Sequence, residues 1–409
     1  MYRTGIYKDK GLFSKPDVEN IEVPDQFKVK NVANGVVGEA SIEQSMLDGE
    51  VAAVTAGVNS IRETDKQIIV DFTTKEGPLR GFFWKNERSL EEVENGLGSL
   101  EVADITGKWN EFPKGSGNFS IHLSDYKESE TNIEELLPYV NESREDLTKE
   151  LFHYISMTSE ETQALTKHIL EQVWDEFSFI PAARGMHHHQ YGGLLQHTVE
   201  NLRIAVKFAE QGSVEEVREL CEKTDRYVRR ALFVEKKFFL EQESEGKFFS
   251  KFNDVEGHHS SMYLGLLRSL RELDEFNIDL DVVIFSTIFH DIGKIMEYSY
   301  AGGDNERYAT FFPGFEFSEG NKSIGADMDT HGVRLGHITL GIVFLTRTLT
   351  EYGLTDGDFL MNVLSCLSSH HGRQEWGSPT IPNKAEEYIV HLADVLGSSF
   401  GSELLYANS

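Results

Sequence analysis

Cysteine is nearly missing from this 409-residue chain: Cys221 and Cys366 are the only two. A disulfide framework is thereby excluded, and a reducing cytoplasm is the expected location (a host's, were the source viral). Neither thiol has metal-ligand spacing. Long apolar runs are missing too. No stretch approaches the roughly 20 continuous apolar residues of a membrane-spanning helix, so no membrane partner is expected. The opening "MYRTGIYKDKGLFSKPD" has neither an apolar core nor a small-residue cleavage site, and it reads without a signal peptide. Positive charge is scarce, with 39 Lys and Arg against 68 Asp and Glu and a formal net charge of −29. Such a surface repels polyanions, which argues against gripping long duplex DNA by phosphate neutralisation. Nucleic acid stays open through a local groove, stacking aromatics or bound cations; otherwise the acid excess serves solubility. There is no internal repeat and no low-complexity tract.

What is present suits a multidomain protein of mixed α and β structure. Hydrophobic residues make up 39% and charged residues 26%, enough for real cores. Residues 1–47 are polar and weakly patterned, a leader expected to be partly ordered. Over 48–128 the hydrophobic pattern has period two, in the pieces "GEVAAVTAGV", "KQIIVDFTT", "PLRGFFWKN", "SLEVADITGKWNEF" and "GNFSIHLSDY". Turn signals separate them at Thr74–Pro78, Asn95–Gly98 and Lys114–Gly117. Five short strands of this kind predict a small Greek-key barrel, OB-like in type. Barrels of that type bind single strands by stacking bases on aromatics. Trp109 and Phe112, beside a Gly-rich turn, are the aromatics best placed for substrate binding.

From about residue 141 to 409 the pattern is helical, and an all-α bundle is expected. Ser159 followed by Glu160 and Glu161 opens one helix as an N-cap and acidic first turn should. "GGLLQHTVENLRIAVKFAE" is amphipathic, with Leu194, His197, Asn201 and Ile204 on roughly one face. "DLDVVIFSTIFHDIGKIMEY" is apolar nearly all round and ends in His290-Asp291. His337 begins another amphipathic stretch, "FLMNVLSCLSS" runs into His370-His371, and Asp394 lies in the last helix. A lone histidine on an apolar face is usually a satisfied core residue. Five helices each offering a His, an Asp or a pair at an apolar-to-polar switch are better explained by a metal, because buried His-Asp pairs are costly without compensation. Neutral imidazoles and carboxylates suit divalent first-row metals. Two ions could share the Asp291 carboxylate, as in hydrolysis at phosphorus.

The order H…HD…H…HH…D, with "HDIGK", resembles the HD superfamily of metal-dependent phosphohydrolases. "MHHHQYGGLLQHT", "IFHDIGK", "RLGHI" and "SSHHGRQEWGSPTIP…EEYIVHLADVLGS" are similar to YhaM-type 3′–5′ exoribonucleases, which join an OB-fold to an HD domain. Relaxase-associated HD domains share the "HH…GGLL.HT" opening. The resemblance implies His197, His290, Asp291 and Asp394 as ligands of a first metal. It implies Asp291, His337 and His370 for a second. His371 is either a ligand or a donor to phosphate, and Lys294 would stabilise charge on the attacked phosphate. His187, His188 and Arg373 would contact substrate, while His189 looks like an addition. Manganese is the first expectation, with iron, magnesium or zinc as alternatives. The implied reaction is in-line attack by a metal-activated hydroxide, with Lys294 assisting.

Two segments depart from the family pattern. Between His197 and His290 lie 92 residues, including a charged helical insertion at about 212–275 with a basic run from Arg226 to Lys237. His258 and His259 inside it match no family position. A second insertion, about 300–330, is Gly-rich and aromatic and reads as a loop over the site mouth. The leading expectation is a 3′–5′ exonuclease on RNA, with single-stranded DNA as a further substrate. The alternatives are an HD-type phosphohydrolase of dNTPs, dinucleoside polyphosphates or cyclic dinucleotides, and a non-catalytic nucleic-acid-binding adaptor. Oligomeric state is not legible in the sequence.

Overall fold

The computed structural model describes residues 12–29, 48–74, 77–114, 118–183, 190–244, 265–299, 306–318 and 327–405. Period-two patterning becomes five strands: β1 (Val51–Glu63), β2 (Gln67–Thr74), β3 (Gly77–Trp84), β4 (Val102–Glu111) and β5 (Phe119–Glu128). They form a closed barrel in the order β1-β2-β3-β5-β4. Neighbours are antiparallel except β3 and β5, which close the barrel in parallel through Gly81–Ile121 and Phe82–His122. Strand β1 serves two partners, pairing β4 from Val51 to Gly57 and β2 from Gly57 to Glu63, the second pairing shifting register between Val58 and Ser60. Alternate residues fill the interior, among them Ile68, Val70, Phe72, Phe83, Ile105 and Ile121.

Helix α1 (Leu90–Asn95), between β3 and β4, was not expected; the Asn95–Gly98 region read only as a turn. Ser89 caps it through a reciprocal box with Glu92, and Val93 and Leu97 complete the barrel core. The signature Ser-x-x-Glu stood in the sequence at Ser89–Glu92.

The remainder is helical: α2 (Arg144–Ser156), α3 (Glu160–Phe177), α4 (Gly193–Ala209), α5 (Val214–Ser244), α6 (265–271), α7 (Leu280–Phe289), α8 (Lys294–Glu297), α9 (Glu306–Phe311), α10 (Gly336–Tyr352), α11 (Gly357–Ser369) and α12 (Ala385–Leu405). Ser159 caps α3 as its sequence promises, accepting from the Thr162 amide. One correction concerns the all-α expectation. A small antiparallel ribbon, β6 (Tyr298–Ser299) with β7 (Asp327–Met328), ties together the two ends of the second insertion. That insertion is not simply a loop, because α9 buries Tyr308 and Phe311 in the main helical core, with Phe311 stacked on Phe344. In the leader, Phe13 and Phe27 are buried against helical clusters rather than the barrel interior. Along the described part of the basic run, Arg226 and Arg229 pair with Glu222 and Asp225 one turn back, the behaviour of a solvated helix face. His258 and His259 lie outside the described residues. Among the described residues no helix is long and apolar enough to cross a membrane.

Candidate metal centre

Helix α4 begins at a forced geometry. Gly192 has φ +82°, its amide donates to the Phe179 carbonyl, and a Cβ there would lie 2.7 Å from the Arg144 side chain. Glycine is the residue that tolerates both constraints. The helix that follows is buried along nearly all its length, and one turn in it presents His197, 2% exposed.

Helices α7 and α11 end in the same way. Each runs into a histidine at its C-cap, His290 and His370, α7 buried nearly throughout and α11 only at Val363, Cys366, Leu367 and Ser369. Both rings turn back on their own helix: His290 Nδ1 donates to the Thr287 carbonyl at 2.8 Å, and His370 Nδ1 to the Leu367 carbonyl at 2.7 Å. Such bonds satisfy carbonyls that a helix end leaves without partners. They also fix the tautomer. A carbonyl only accepts, so Nδ1 carries the hydrogen, and in a neutral ring Nε2 keeps its lone pair. His371 is held likewise by the Trp376 carbonyl at 2.6 Å, and His337, in the first turn of α10, by the Glu297 carboxylate at 2.8 Å.

The Nε2 atoms of His197, His290, His337 and His370 converge on Asp291. Its Oδ2 lies 3.2 Å from His197 and 3.4 Å from His290. Its Oδ1 lies 3.4 Å from His337 and 3.8 Å from His370. Asp394, from α12, approaches His197 at 3.2 Å. The ligand-type atoms form two groups, each within 4.8 Å: His197, His290, Asp291 and Asp394; and Asp291, His337, His370 and His371. Asp291 belongs to both, one carboxylate oxygen toward each. Lys294, one turn on, sets its ammonium 2.6 Å from Asp291 Oδ2.

The electrostatics favour positive charge at this point. Burial would raise the Asp291 carboxyl, but Lys294, His290 and His197 outweigh it and hold the group well below the usual carboxylate range. Asp394 is likewise held low, against burial, chiefly by its hydrogen bond from His197. Burial lowers His197, yet the hydrogen bonds to Asp291 and Asp394 win, and its pKa is pushed up to about 9. On the other side, burial and then the neighbouring imidazoles hold His370 well below 6.5, and burial with His337 lowers His371, so both rings are neutral. Asp291 Oδ1, His337 Nε2 and His370 Nε2 are buried and make no hydrogen bond. Three electron-rich atoms facing one another without a donor are costly, and a cation satisfies all three. The donor set therefore fits divalent metal.

Of the residues singled out in the sequence, His197, His290, Asp291, Lys294, His337, His370, His371 and Asp394 come together here. His187 and His188 lie outside the described residues. Arg373 is exposed two residues beyond His371, its guanidinium 5.1 Å from the Trp376 ring centroid. Phe112 is 78% exposed just after β4. Trp109 is a correction: it is 3% exposed and belongs to the barrel core. The parity of β4 decides this, since Ala103, Ile105 and Trp109 point inward while Thr106 and Lys108 point out. Two neighbours of the site were missed. The Asn201 amide nitrogen lies 3.1 Å from His197 Nε2 and 3.3 Å from His290 Nε2. Its place one turn after His197 was the available signal. Glu297 had none, since only tertiary folding brings it to His337.

A family model described as "Putative helicase" (TraI_2) matches residues 133–226, less than a quarter of the chain. A protein named 3′-5′ exoribonuclease YhaM from Listeria monocytogenes serotype 4b is 23% identical over 258 residues, 63% of this chain and 55% of that protein. Its namesake from Bacillus pumilus is 23% identical over 265 residues, 64% of this chain and 57% of its own. One from Bacillus velezensis is 27% identical over 158 residues, 39% and 43% of the two chains. Among solved structures, an aspartyl tRNA synthetase from Entamoeba histolytica aligns with 87% of this chain and 91% of its own, at 10% identity. The TM-score of that alignment is 0.21. The chain spans a little over half the length of the first two of these exoribonucleases, and over that span it is similar to proteins named 3′-5′ exoribonuclease YhaM.

Proposed function

We propose that this chain is a metal-dependent 3′–5′ exonuclease that hydrolyses RNA, with single-stranded DNA as a further substrate. The observation that carries the reading is Asp291, whose two oxygens face two separate groups of imidazoles. On this reading the helical region from about 141 is an HD-type bundle, and 48–128 is an OB-like module. His197, His290, Asp291 and Asp394 would hold one divalent cation, and Asp291, His337 and His370 a second. His371 would complete the second group or donate to phosphate. Bound cations, manganese first among manganese, iron, magnesium and zinc, supply Lewis-acid polarisation of phosphate and an activated water. The protein's own part is to hold the imidazoles in one tautomer, exclude water behind the site and place the Lys294 ammonium beside Asp291, where it can counter phosphate charge.

Substrate contact would fall to exposed Arg373 and Phe112, together with His187 and His188, which lie outside the described residues. The cations also answer the problem set by a net charge of −29, because they provide positive charge locally. The test is incubation with Mn²⁺ and RNA labelled at the 5′ or the 3′ end, alongside a panel of nucleotides. Stepwise shortening of 5′-labelled RNA with early release of the 3′ label is expected. Turnover of free nucleotides alone would replace this reading with a small-molecule phosphohydrolase, and no turnover with less than one metal per chain would leave a binding adaptor.

A further inference from the structure

The two ligand groups are unequal in charge. The first contains two carboxylates, Asp291 and Asp394; the second contains Asp291 alone, with three imidazoles. The second group also has a carboxylate one layer out. Among the described residues, His290, His370 and His371 direct Nδ1 to backbone carbonyls, whereas His337 directs it to Glu297 Oε2 at 2.8 Å. Glu297 is itself buried, and its position is set by the backbone. Its amide donates to the Gly293 carbonyl, and its carbonyl accepts from the Asp329 amide. Gly293 lies so close to α10 that a Cβ there would fall 1.9 Å from the His337 carbonyl oxygen. The turn after the His-Asp pair is thereby pressed against the start of α10, which brings Glu297 to His337.

We propose that Glu297 is a positioning residue for the second cation, orienting His337 toward Asp291 and strengthening that imidazole as a donor. This rests on the two-cation reading above. A carboxylate acceptor makes a stronger, charge-assisted bond than a carbonyl, and it raises the basicity of the ring beyond it. It gives the second group the negative charge that Asp394 gives the first. His337 is the member that needs such support, since it keeps 13% of its side chain exposed where His370 keeps none.

The test is Mn²⁺ titration of the metal-stripped full chain, counting free ion by its six-line electron paramagnetic resonance signal. Wild type is expected to bind two ions. Glu297→Ala should keep the first and bind the second about 10–100-fold more weakly, the usual cost of removing such a partner. Glu297→Gln, whose amide oxygen still accepts from Nδ1–H, should fall between them. A Glu297→Ala protein that binds both ions as wild type does would overturn the inference and leave the metal reading standing. So would equal weakening of both ions with a lowered melting temperature, which would mark Glu297 as general structural support. A wild type that binds no ion would overturn the metal reading and this inference together.

Discussion

Two buried clusters in this protein are equally shielded and chemically opposite. In the barrel, Phe72, Phe83 and Trp109 are 1–3% exposed and meet other apolar side chains. In the helical region, His197, His290, Asp291 and His370 are 0–2% exposed and meet one another. Burial in the first cluster stabilises the fold by about 1.5–3 kcal/mol per large side chain. Burial in the second costs free energy that the lattice of imidazoles, carboxylates and Lys294 only partly offsets, and it leaves Asp291 Oδ1, His337 Nε2 and His370 Nε2 without hydrogen bonds. A fold with no use for those groups gains by replacing them with leucine. Their presence marks where the helical region gives up stability for chemistry.

That contrast breaks most visibly at Asp291. Asp291→Asn, which keeps the volume and removes the charge shared by both groups, should lower RNA hydrolysis at least about a thousandfold. Circular dichroism should still show a folded helical protein. Near-normal hydrolysis by this variant would remove the centre from the reaction.

Trp109→Ala should behave in the opposite sense. Loss of a core indole is expected to cost about 3–5 kcal/mol in urea unfolding, with cleavage of a short RNA unchanged per folded molecule. A variant as stable as wild type would show that Trp109 is not a core residue.

Phe112→Ala sharpens the comparison inside the barrel itself. Its unfolding midpoint should stay within about 0.5 kcal/mol of wild type. Affinity for single-stranded RNA should fall by the roughly 1–3 kcal/mol of one base stack. Unchanged binding by fluorescence anisotropy would take Phe112 out of the substrate path.

The smallest effect belongs to Ser89→Ala. Removing the cap of α1 should cost about 1 kcal/mol of stability and leave hydrolysis alone. A larger loss would mean that α1 does more than close the barrel.

Much of the architecture could be read before folding. Alternation located all five barrel strands, and apolar spacing located the helices that carry His197, His337 and Asp394 and those that end at His290 and His370. The placing of Trp109 failed although its signal was present: Thr106 and Lys108 on one parity of β4 and Ile105 on the other already assign the indole inward. Proximity to a Gly-rich turn was weighed above parity, and parity is the stronger constraint because a strand has two faces. The ribbon of β6 and β7 was not readable in that way. Two residues carry no period, and their pairing depends on where the ends of the insertion meet.

The sequence by itself determined which residue types stand at the ends and first turns of the helices, since local patterning, caps and a glycine such as Gly192 act over a few positions. Tertiary structure alone decided that Asp291 turns one oxygen to each group, that Glu297 sets the His337 tautomer, and that Asn201 reaches His290. Glu297 lies 40 positions from His337, and Asn201 lies 89 from His290. Such relations exist only once burial of the apolar faces has brought the helices together, and no local pattern along a chain encodes a distance of that kind.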